Sequence, residues 1–300
     1  MISCPLCNND MKLLQKEIRS GDGSVYHCDS CDLAMLDIIT EPEYYEEEYR
    51  KHHKSILNKA YSPEEMFNHY VNFQTNRIST LENYLNNDKK LLDIGCSAGQ
   101  FIYNIKDKIN VFGIEKGIET KKYCANKCNC KIYSDIDEVD EQFDIITIIH
   151  VLEHIHNPKL FIKKVFNILK DDGILYIEVP NINDVLISVY DLESFRKFNF
   201  HNAHLYYYSD KSLTKLLNNI GLTGNIKYYQ DYTLFNHIHW ITTNSPQKSY
   251  IEGINTNIKY IDSKHKNKIS SFLENINDKY KNILNENGLS NNICFLGKKL

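Results

Sequence analysis

The chain has 300 residues, of which 42% are hydrophobic and 25% are charged, and its formal net charge at pH 7 is −4. These values are typical of an ordinary globular protein with enough length for one large or two modest domains. The small negative charge and the lack of a long Lys and Arg run argue against a nucleic-acid-binding surface.

The N-terminal sequence MISCPLCNND has no charged segment followed by an apolar core, so it does not read as a secretory signal. No apolar run approaches the roughly 18 residues that a membrane span requires. Nine cysteines without such a signal indicate a reducing compartment. We therefore expect a cytoplasmic protein without disulfides or membrane insertion, and its oligomeric state is left open.

Four cysteines near the N-terminus form two C-x2-C pairs. Cys4 and Cys7 lie in CPLC, and Cys28 and Cys31 lie in CDSC. Two tight turns that each present two thiolates are typical of a structural zinc site. We predict a zinc ribbon over residues 1–40 whose folding depends on the metal, because so short a segment buries little apolar surface alone. Four unrelated thiols or a redox dithiol are the alternatives, although neither pair has the βαβ context of a redox motif.

A connector and a capping helix are expected over residues 41–87. Its first part, EPEYYEEEYRKHH, is dense in Glu and Tyr, and its composition alone favours a solvated acidic segment. Ser62, Pro63 and Glu65 then form a capping-box signal that starts a helix. A mostly apolar stripe at helical spacing predicts that this helix packs on a larger body. The stripe consists of Phe67, Tyr70, Val71, Gln74, Ile78, Leu81 and Leu85.

From residue 88 onward strands and helices alternate. The predicted strands are KLLDIG, VFGIE, KIYSD, FDIITII and ILYIEVP. The predicted helices cover 100–107, 118–127 and 158–170, the last with Gly173 as its stop signal. Such alternation predicts an α/β fold in which a parallel sheet has helices on both faces.

A glycine-bracketed turn follows the first of these strands, in LLDIGCSAGQF. Gly95 and Gly99 allow a ligand to approach the backbone closely. Asp93 precedes the turn, and Glu115 ends the next strand, where a carboxylate can accept hydrogen bonds from both hydroxyls of a ribose. The G-x-x-x-G spacing differs from the G-x-G-x-x-G of nicotinamide-binding proteins. The alternative is a doubly wound fold with an incidental acid at that strand end.

The stretch IIHVLEHIH contains H-x-x-E-H, which supplies zinc ligands in some metalloproteases. His150, Glu153 and His154 can meet one metal ion only on a sustained helix. A buried strand precedes them, and Asn157 and Pro158 signal a new helix directly afterwards. We therefore favour a ligand-binding loop at the carboxyl end of a parallel strand over a zinc hydrolase.

Cys124, Cys128 and Cys130 have no fourth partner at a usable spacing, so we expect ordinary thiols at a helix end rather than a second metal site. In the last third, Ser209 and Gly221 bound a predicted helix. IKYYQ, IHWITT and NICFLGKKL read as strands, and a helix is expected over 263–286. The buried side of that helix is predicted to contain Ile269, Leu273, Ile276, Tyr280 and Ile283.

These motifs together resemble a known family. LLDIGCSAGQF, VFGIEKG, SDID and FDIITIIHVLEHIHNP are similar to the successive motifs of class I S-adenosylmethionine-dependent methyltransferases. The cysteine ribbon, the Tyr-rich segment and HNAHLYYYSDKSLTKLLNNIGL resemble methyltransferases encoded in bacterial surface-polysaccharide and deoxysugar gene clusters. The resemblance implies a Rossmann-like sheet, mostly parallel with an antiparallel last strand. It also implies a methyltransferase domain over 88–300 with a substrate-side elaboration at about 181–289.

The resemblance also assigns roles by position. The methionine part of the cofactor would be surrounded by Asp93, Gly95, Cys96, Ser97 and Gly99. Glu115 would hold the ribose, Asp135 and Ile136 would bracket the adenine, and His150 would lie near the methionine moiety. The deoxysugar C-methyltransferases of the family carry a further C-terminal domain, so the length of this chain favours O- or N-methylation.

The methyl acceptor is expected to meet three histidines, which the resemblance places around it: His154, His204 and His201. No more than one of them is expected to act as the base. Tyr207 and Tyr208 can position the acceptor, although a packing role is an equal alternative. A surface or structural role is expected for six further histidines: His52, His53, His69, His237, His239 and His265.

The sequence therefore predicts a methyltransferase that uses S-adenosyl-L-methionine and a structural Zn2+. Its acceptor is expected to be a small polar molecule such as a sugar nucleotide or glycan intermediate, with no nucleic acid bound. One alternative is an rRNA base methyltransferase, against which the acidic balance argues. The other is a catalytically silent scaffold protein that binds S-adenosylmethionine.

Overall fold

The computed structural model of this protein describes residues 2–19, 23–37, 62–255 and 265–300. The predicted Tyr-rich segment with His52 and His53 lies outside these ranges. The described residues form two compact units. Unit 1 lies within Met1–Ile38, Pro180–Ser212 and Lys227–Cys294. Unit 2 lies within Ile39–Val179, Leu213–Ile226 and Phe295–Leu300.

The secondary-structure elements are numbered in chain order. The strands are β1 (Lys12–Gln15), β2 (Val25–Cys28), β3 (Leu33–Leu36), β4 (Lys90–Ile94), β5 (Asn110–Ile114), β6 (Lys131–Tyr133), β7 (Phe143–Ile149), β8 (Leu169–Pro180), β9 (Tyr206–Tyr207), β10 (Leu222–Tyr229) and β11 (Asn292–Lys299). The helices are α1 (Pro63–Tyr70), α2 (Thr75–Leu81), α3 (Gln100–Ile105), α4 (Ile118–Cys128), α5 (Pro158–Ile168), α6 (Val185–Ser188), α7 (Glu193–Asn199), α8 (Asp210–Asn218), α9 (Leu234–Thr243), α10 (Tyr250–Ile254) and α11 (Lys266–Glu286). None of the helices in the described ranges has both the length and the apolar character needed to cross a bilayer.

The larger sheet has seven strands in the order β10-β11-β8-β7-β4-β5-β6, and its strands β4 to β7 lie in unit 2. The strands β6, β5, β4, β7 and β8 pair in parallel with their neighbours. Their β-branched and apolar runs form these central strands because both faces of the sheet are covered, and Leu91, Ile145 and Ile146 are fully buried. The predicted α/β fold with a mostly parallel sheet is confirmed. The final strand β11 lies between β10 and β8, and its antiparallel direction stays a prediction.

Unit 1 contains a four-stranded sheet with the order β1-β2-β3-β9. Strand β3 pairs antiparallel with β9, where Ala34 lies opposite Tyr207. Behind this sheet, Val25 and Leu36 pack in one apolar cluster with Phe200 and Trp240. The N-terminal segment therefore shares both a sheet and a core with later parts of the chain, which increases the apolar area that it buries on folding.

The single helix predicted from residue 62 onward is wrong, because the chain forms α1 and α2 separately. The predicted start is confirmed: the Ser62 side chain accepts from the Glu65 amide, and the Glu65 side chain accepts from the Ser62 amide. The break comes at Gln74, whose side-chain amide donates to the Tyr70 carbonyl at 2.9 Å. This bond occupies a carbonyl that a continuous helix would use for its own backbone.

Helix α5 ends earlier than expected and does not use Gly173 as its stop. Leu169 already belongs to β8, where it lies opposite Phe143 and is fully buried. The chain thus buries one more apolar side chain in the sheet instead of extending the helix by one residue. Gly173 lies inside the strand instead.

The strand predicted for IHWITT is also wrong, because these residues belong to α9. Its N-terminus is capped by the Thr233 hydroxyl, which accepts from the Asn236 amide at 3.2 Å. His237 and Trp240, three positions apart, are both buried. Strands β10 and β11 do contain the predicted IKYYQ and NICFLGKKL patterns, with boundaries shifted by a few residues.

The helix expected over 263–286 is observed as α11, but its buried face differs from the predicted stripe. Ile269 and Ile283 are 47% and 56% exposed, whereas Asn277 and Leu284 are buried. Asn277 is held by a polar contact, since its side-chain oxygen accepts from the Leu234 amide at 2.9 Å. A polar residue therefore occupies part of the face that the sequence reserved for apolar ones.

Candidate functional site

The turn after β4 is made of residues in left-handed backbone conformations. Gly95, Ser97 and Gly99 have φ values of 76°, 51° and 85°. A Cβ at Gly95 would lie 2.3 Å from a methyl carbon of Val151, so the turn has no room for a side chain there. The Gly95 and Cys96 amides both donate to the Ile114 carbonyl, at 2.8 and 3.0 Å. The turn is thereby tied to the end of the neighbouring strand β5.

Glu115 follows β5 and points back to this turn. Its Oε2 accepts from the Ser97 amide at 3.1 Å, and its Oε1 accepts from the Gly117 amide at 2.8 Å. Each carboxylate oxygen can accept more than one hydrogen bond. The two amides therefore fix the direction of the carboxylate while its oxygens keep the capacity to accept from a diol.

Asp93 lies below the turn rather than on its surface. The side chain is only 3% exposed, and its Oδ1 accepts from the Thr147 hydroxyl at 2.6 Å. Burial raises the pKa of Asp93 to about 7, against the lowering effects of Thr147 and Arg77. Such a residue supports the turn from inside the sheet.

Asp135 and Ile136 follow β6 at the same edge of the sheet, because the carboxyl ends of parallel strands meet there. The Oδ1 of Asp135 accepts from the Asp137 amide at 3.1 Å and caps a single 3-10 turn. The Nζ of Lys116 lies 3.9 Å from the Oδ2 of Asp135. The Asp135 side chain remains 45% exposed and accessible to a ligand.

His150 stands immediately after β7, in a left-handed conformation with φ of 53°. Its Nε2 lies 3.1 Å from the Oε1 of Glu178, and its Nδ1 lies 3.4 Å from the Oε1 of Glu153. Burial disfavours a charge on the ring, but these two carboxylates outweigh it and raise the pKa of His150 to about 10. His150 is therefore protonated at neutral pH and does not serve as a base.

A buried salt bridge that the sequence analysis missed stands behind His150. Arg77 donates from Nε and Nη2 to the two oxygens of Glu178, at 2.9 and 2.5 Å, and the Tyr176 hydroxyl donates to the same carboxylate at 2.8 Å. Burial opposes the charge on Glu178, yet Arg77 and His150 hold its pKa well below its usual range. The glutamate inside the apolar strand ILYIEVP was the available signal, because a buried acid requires a partner.

As the sequence predicts, the H-x-x-E-H motif lies in a loop and not on a sustained helix. Leu152–His154 is a single 3-10 turn between β7 and α5. The two ring nitrogens of His150 lie beside Glu178 and Glu153, and Asn157 caps α5 through the Leu160 amide at 3.0 Å.

The three candidate base histidines come from two segments of the chain. His154 ends the short turn after β7 in unit 2. His201 and His204 lie side by side in unit 1, with ring centroids 4.0 Å apart. The His201 amide donates to the Tyr207 hydroxyl at 2.9 Å, so Tyr207 is engaged in local structure. The expected meeting of these histidines at the acceptor stays a prediction.

The four N-terminal cysteines come together as a set in unit 1. The sulfur atoms of Cys4, Cys7, Cys28 and Cys31 all lie within 4.8 Å of one another. A tetrahedral zinc with Zn–S bonds of about 2.3 Å requires sulfurs separated by roughly 3.8 Å. The observed spacing and the all-thiol donor set fit that ion.

The backbone around these cysteines has the shape that such a site needs. Asn8 and Asp32, each next after a C-x2-C pair, have φ values of 61° and 55°. The Asn8 amide donates to the Cys4 carbonyl at 2.8 Å, and the Asp32 amide donates to the Cys28 carbonyl at 2.7 Å. Each pair therefore sits on its own tight turn with both sulfurs directed to the same point.

A fourth cysteine, Cys96, lies next to the group formed by Cys124, Cys128 and Cys130, and the sequence alone did not predict this neighbour. Cys96, from the turn after β4, places its Sγ 3.8 Å from the Sγ of Cys124 on α4. Because Cys96 is 3% exposed and its side chain points inward, only its backbone can face a ligand. Cys128 donates from its Sγ to the Gly99 carbonyl at 3.5 Å.

Comparison with known proteins identifies the fold's family. The model of a family described as "Methyltransferase domain" matches residues 67–226, which is more than half of the chain. The chain belongs to this family. It carries a class I S-adenosylmethionine-dependent methyltransferase domain, and its glycine turn, Glu115 and His150 are parts of that domain.

Individual relatives of the methyltransferase domain were also found. The chain is 34% identical over 102 residues to (S)-coclaurine N-methyltransferase of Papaver somniferum, covering 30% of this chain and 29% of that protein. It is 31% identical over 127 residues to a ubiquinone biosynthesis O-methyltransferase of Glaesserella parasuis, covering 37% of this chain and 50% of that protein. The match thus spans half or less of these two relatives.

A solved methyltransferase from Archaeoglobus fulgidus, described as SAM dependent, is 18% identical with a TM-score of 0.49. The match covers 76% of this chain and 94% of that one.

Proposed function

We propose that the chain is an S-adenosylmethionine-dependent methyltransferase that methylates a hydroxyl of a small polar acceptor, a nucleotide-linked sugar or a related glycan precursor. The observation that carries the activity is the Glu115 carboxylate fixed by the Ser97 and Gly117 amides beside the left-handed glycine turn. The sugar acceptor rests on the resemblance of the cysteine ribbon and the HNAHLYYYS segment to polysaccharide-cluster methyltransferases. The named relatives include both an N- and an O-methyltransferase, which is compatible with a heteroatom acceptor.

The cofactor is proposed to lie along the carboxyl ends of β4 to β7. The backbone from Asp93 to Gly99 holds its methionine part, Glu115 accepts from its ribose hydroxyls, and Asp135 with Ile136 flanks its adenine. The doubly paired His150 contributes a fixed positive charge near the methionine moiety, where a carboxylate of the ligand benefits from it. S-adenosylmethionine, when bound, supplies an electrophilic methyl group on a sulfonium.

The protein's share of the chemistry is positioning and proton removal. Holding an acceptor oxygen in line with the methyl carbon supplies much of the acceleration. A sugar hydroxyl is a poor nucleophile while protonated, so a neutral imidazole within hydrogen-bond reach accepts its proton as the new bond forms. His154 and His204, then His201, are the proposed candidates, while the protonated His150 is excluded from this role.

We also propose that Cys4, Cys7, Cys28 and Cys31 hold one structural zinc. The close sulfur set, of which three members are buried, supports this assignment. The ion would fix β1 to β3 and through them the sheet edge that receives β9.

Cofactor binding is tested by titration calorimetry of the wild type and of Glu115→Ala. Loss of two ribose hydrogen bonds to a charged group, worth about 1.5–3 kcal/mol each at most, should weaken affinity at least about tenfold. Glu119→Ala is the matched control, because Glu119 is an exposed acid in the first turn of α4 and should leave affinity unchanged. Absence of binding by the wild type, or equal affinities in all three proteins, contradicts the proposal.

The acceptor and the base are tested by turnover to S-adenosylhomocysteine with a panel of sugar nucleotides. With the productive acceptor, alanine at one of His154, His201 and His204 should lower turnover by about 10²–10⁴ and leave cofactor affinity nearly intact. Near-normal turnover in all three variants would assign the reaction to positioning alone or to another base. Cofactor binding without turnover on any acceptor would support a silent binding protein instead.

A further inference from the structure

Helix α11 carries an exposed apolar stripe beside the face by which it packs in unit 1. The stripe consists of Ile269, Phe272, Ile276 and Ile283. Ile269, Phe272 and Ile283 are 47%, 63% and 56% exposed, and Ile276 is partly buried. The packing face is separate, since Leu284 belongs to the buried apolar core of the unit. The stripe is therefore apolar area in addition to the area that attaches α11 to its unit.

The spacing of this stripe is that of a coiled-coil seam, which is formed by positions a and d of a seven-residue repeat. Ile269, Ile276 and Ile283 are seven residues apart and take position a, while Phe272 takes position d. Lys279 takes the next d position. The 21 residues of α11 span three such repeats, about 31 Å. Single exposed apolar residues are common, but an aligned stripe of this length is typical of a surface that another helix covers.

A second copy of α11 fits the charges beside the stripe. Lys268, near the N-terminus of the helix, and Glu286, at its C-terminus, are both exposed. They lie about five helical turns apart and therefore on the same side of the stripe. When the second helix runs in the opposite direction, Lys268 of each copy lies opposite Glu286 of the other. The positive end of each helix dipole then also lies beside the negative end of the other. The stripe and its flanking charges are thus complementary to themselves.

The antiparallel direction also accommodates Lys279, the charged residue within the seam. In the same register Phe272 lies opposite Ile283 of the second copy, and Lys279 lies opposite Ile276. The aliphatic stem of Lys279 can cover Ile276 while its ammonium group stays in water. A parallel pair would instead set Lys279 against Lys279 of the second copy, where the like charges repel each other. The seam therefore favours an antiparallel pair over a parallel one.

We propose that two copies of the chain form a two-fold homodimer through antiparallel pairing of their α11 helices. Every contact in such an interface occurs twice, because both copies contribute the same surface. One pair of helices forms a small interface, so the dimer should dissociate at micromolar concentrations.

Analytical ultracentrifugation of the full-length protein, purified with zinc, tests the dimer. The mass should rise from that of one chain, 35.2 kDa, toward twice this value between about 1 and 100 µM. Phe272→Glu places a charge in the seam and should raise the dissociation constant at least about tenfold. Ser271→Glu is the matched control, because Ser271 is exposed but lies outside the stripe, and it should dimerise like the wild type. A wild type that stays monomeric, whether or not it captures another protein, or a dimer that Phe272→Glu leaves unchanged, overturns the proposal.

Charge reversal tests the direction of the pair. Lys268→Glu and Glu286→Lys should each raise the dissociation constant at least about threefold, because each change sets like charges against each other at both ends of the interface. The double variant restores opposite charges and should dimerise nearly as well as the wild type. Both changes suit the dipole of α11, so neither should unfold the helix. A double variant that dimerises no better than the single variants overturns the antiparallel pairing.

Discussion

The two groups of cysteines differ in the arrangement of their sulfur atoms. In unit 1, Cys4, Cys7, Cys28 and Cys31 bring all four sulfurs within 4.8 Å of one another. In unit 2, the Cys96 sulfur lies 3.8 Å from the Cys124 sulfur, and the sulfurs of Cys124 and Cys128 both pack against Gly99. Among the described residues, however, the groups of three or more metal-ligating side chains whose ligand atoms all lie within 4.8 Å of one another do not include these cysteines.

The backbone explains the difference. Each N-terminal pair sits on a tight turn whose two thiols converge, with a left-handed residue directly after the second cysteine. Cys124 and Cys128 instead stand one helical turn apart on α4, with their sulfurs against Gly99. Convergent thiols suit a cation, whereas thiols along a helix face suit packing, so thiol number alone does not define a metal site.

Loss of metal is the largest effect expected from this comparison. Cys28→Ser should reduce bound zinc from about one equivalent to near zero, because three thiolates no longer close a tetrahedral site. Since Val25 and Leu36 share a core with Phe200 and Trp240, protease sensitivity should also rise in residues 180–212. Elemental analysis and limited proteolysis give both readouts.

Cys128→Ser is the matched control for that change. It alters a buried thiol of the other group and should keep the full zinc content. Equal metal loss in Cys28→Ser and Cys128→Ser, or a wild type that is well ordered without metal, would contradict the distinction between the groups.

A methyl group at Gly99 should have the next largest effect. Gly99→Ala forces a side chain onto a residue with φ of 85° and into a space bounded by two sulfurs at 2.7 Å. Backbone strain and overpacking together should lower the free energy of unfolding by about 2–5 kcal/mol. Urea unfolding of the reduced protein measures this loss.

The two causes can be separated by matched variants. Gly221 has φ of 92°, but a Cβ there would meet only Phe166, at 3.6 Å. Gly221→Ala should therefore show strain alone, about 1–3 kcal/mol. Adding Cys124→Ala and Cys128→Ala to Gly99→Ala should recover the overpacking part. If Gly99→Ala costs no more than Gly221→Ala, the sulfurs do not pack against the turn as described.

Local signals in the sequence were sufficient for much of unit 2. The β-branched run FDIITII and the turn from Gly95 to Gly99 each carry their own conformational preference, so the strands and the turn could be read directly. The helix start at Ser62 was equally local. The strand prediction for IHWITT was wrong because its residues favour a strand by composition. The helix is started by the hydroxyl of Thr233, which lies five positions upstream of Ile238.

Contacts between distant residues could not be read in this way. Arg77 and Glu178 are 101 positions apart. The acidic Glu178 within an otherwise apolar strand indicates only that some partner exists, not which residue it is. Cys96 joins Cys124 because the turn after β4 lies next to α4, a neighbourhood that depends on the sheet order. The pairing of β3 with β9 depends on tertiary folding in the same way.

The smallest expected effect concerns Asp93, the buried acid next to the second cysteine group. Burial raises the pKa of Asp93 from 3.8 to about 7, and the charge of Cys130 adds to this shift. Between about pH 3.8 and pH 7, Asp93 is protonated in the folded state and charged in the unfolded state. The stability that the neutral carboxyl provides is therefore fully present below about pH 3.8 and is lost as the pH rises through about 7. Asp93→Asn should remove this loss, so that the variant gains on the wild type by at most about 1.4 kcal/mol per pH unit toward pH 7.

Urea unfolding between pH 5 and pH 8 compares the wild type with Asp93→Asn and with Asp144→Asn as the control. Burial opposes the charge on Asp144, but Lys170 and the Lys90 amide lower its pKa. The stability that the charged Asp144 carboxylate provides is therefore lost only at a pH below the usual pKa of an aspartate. Asp144→Asn should thus keep the wild-type dependence of unfolding free energy on pH between pH 5 and pH 8. Removal of the Cys130 charge in Cys130→Ser should move the Asp93 midpoint slightly downward. A wild-type slope that Asp93→Asn leaves unchanged would show that the buried carboxyl does not titrate in this range.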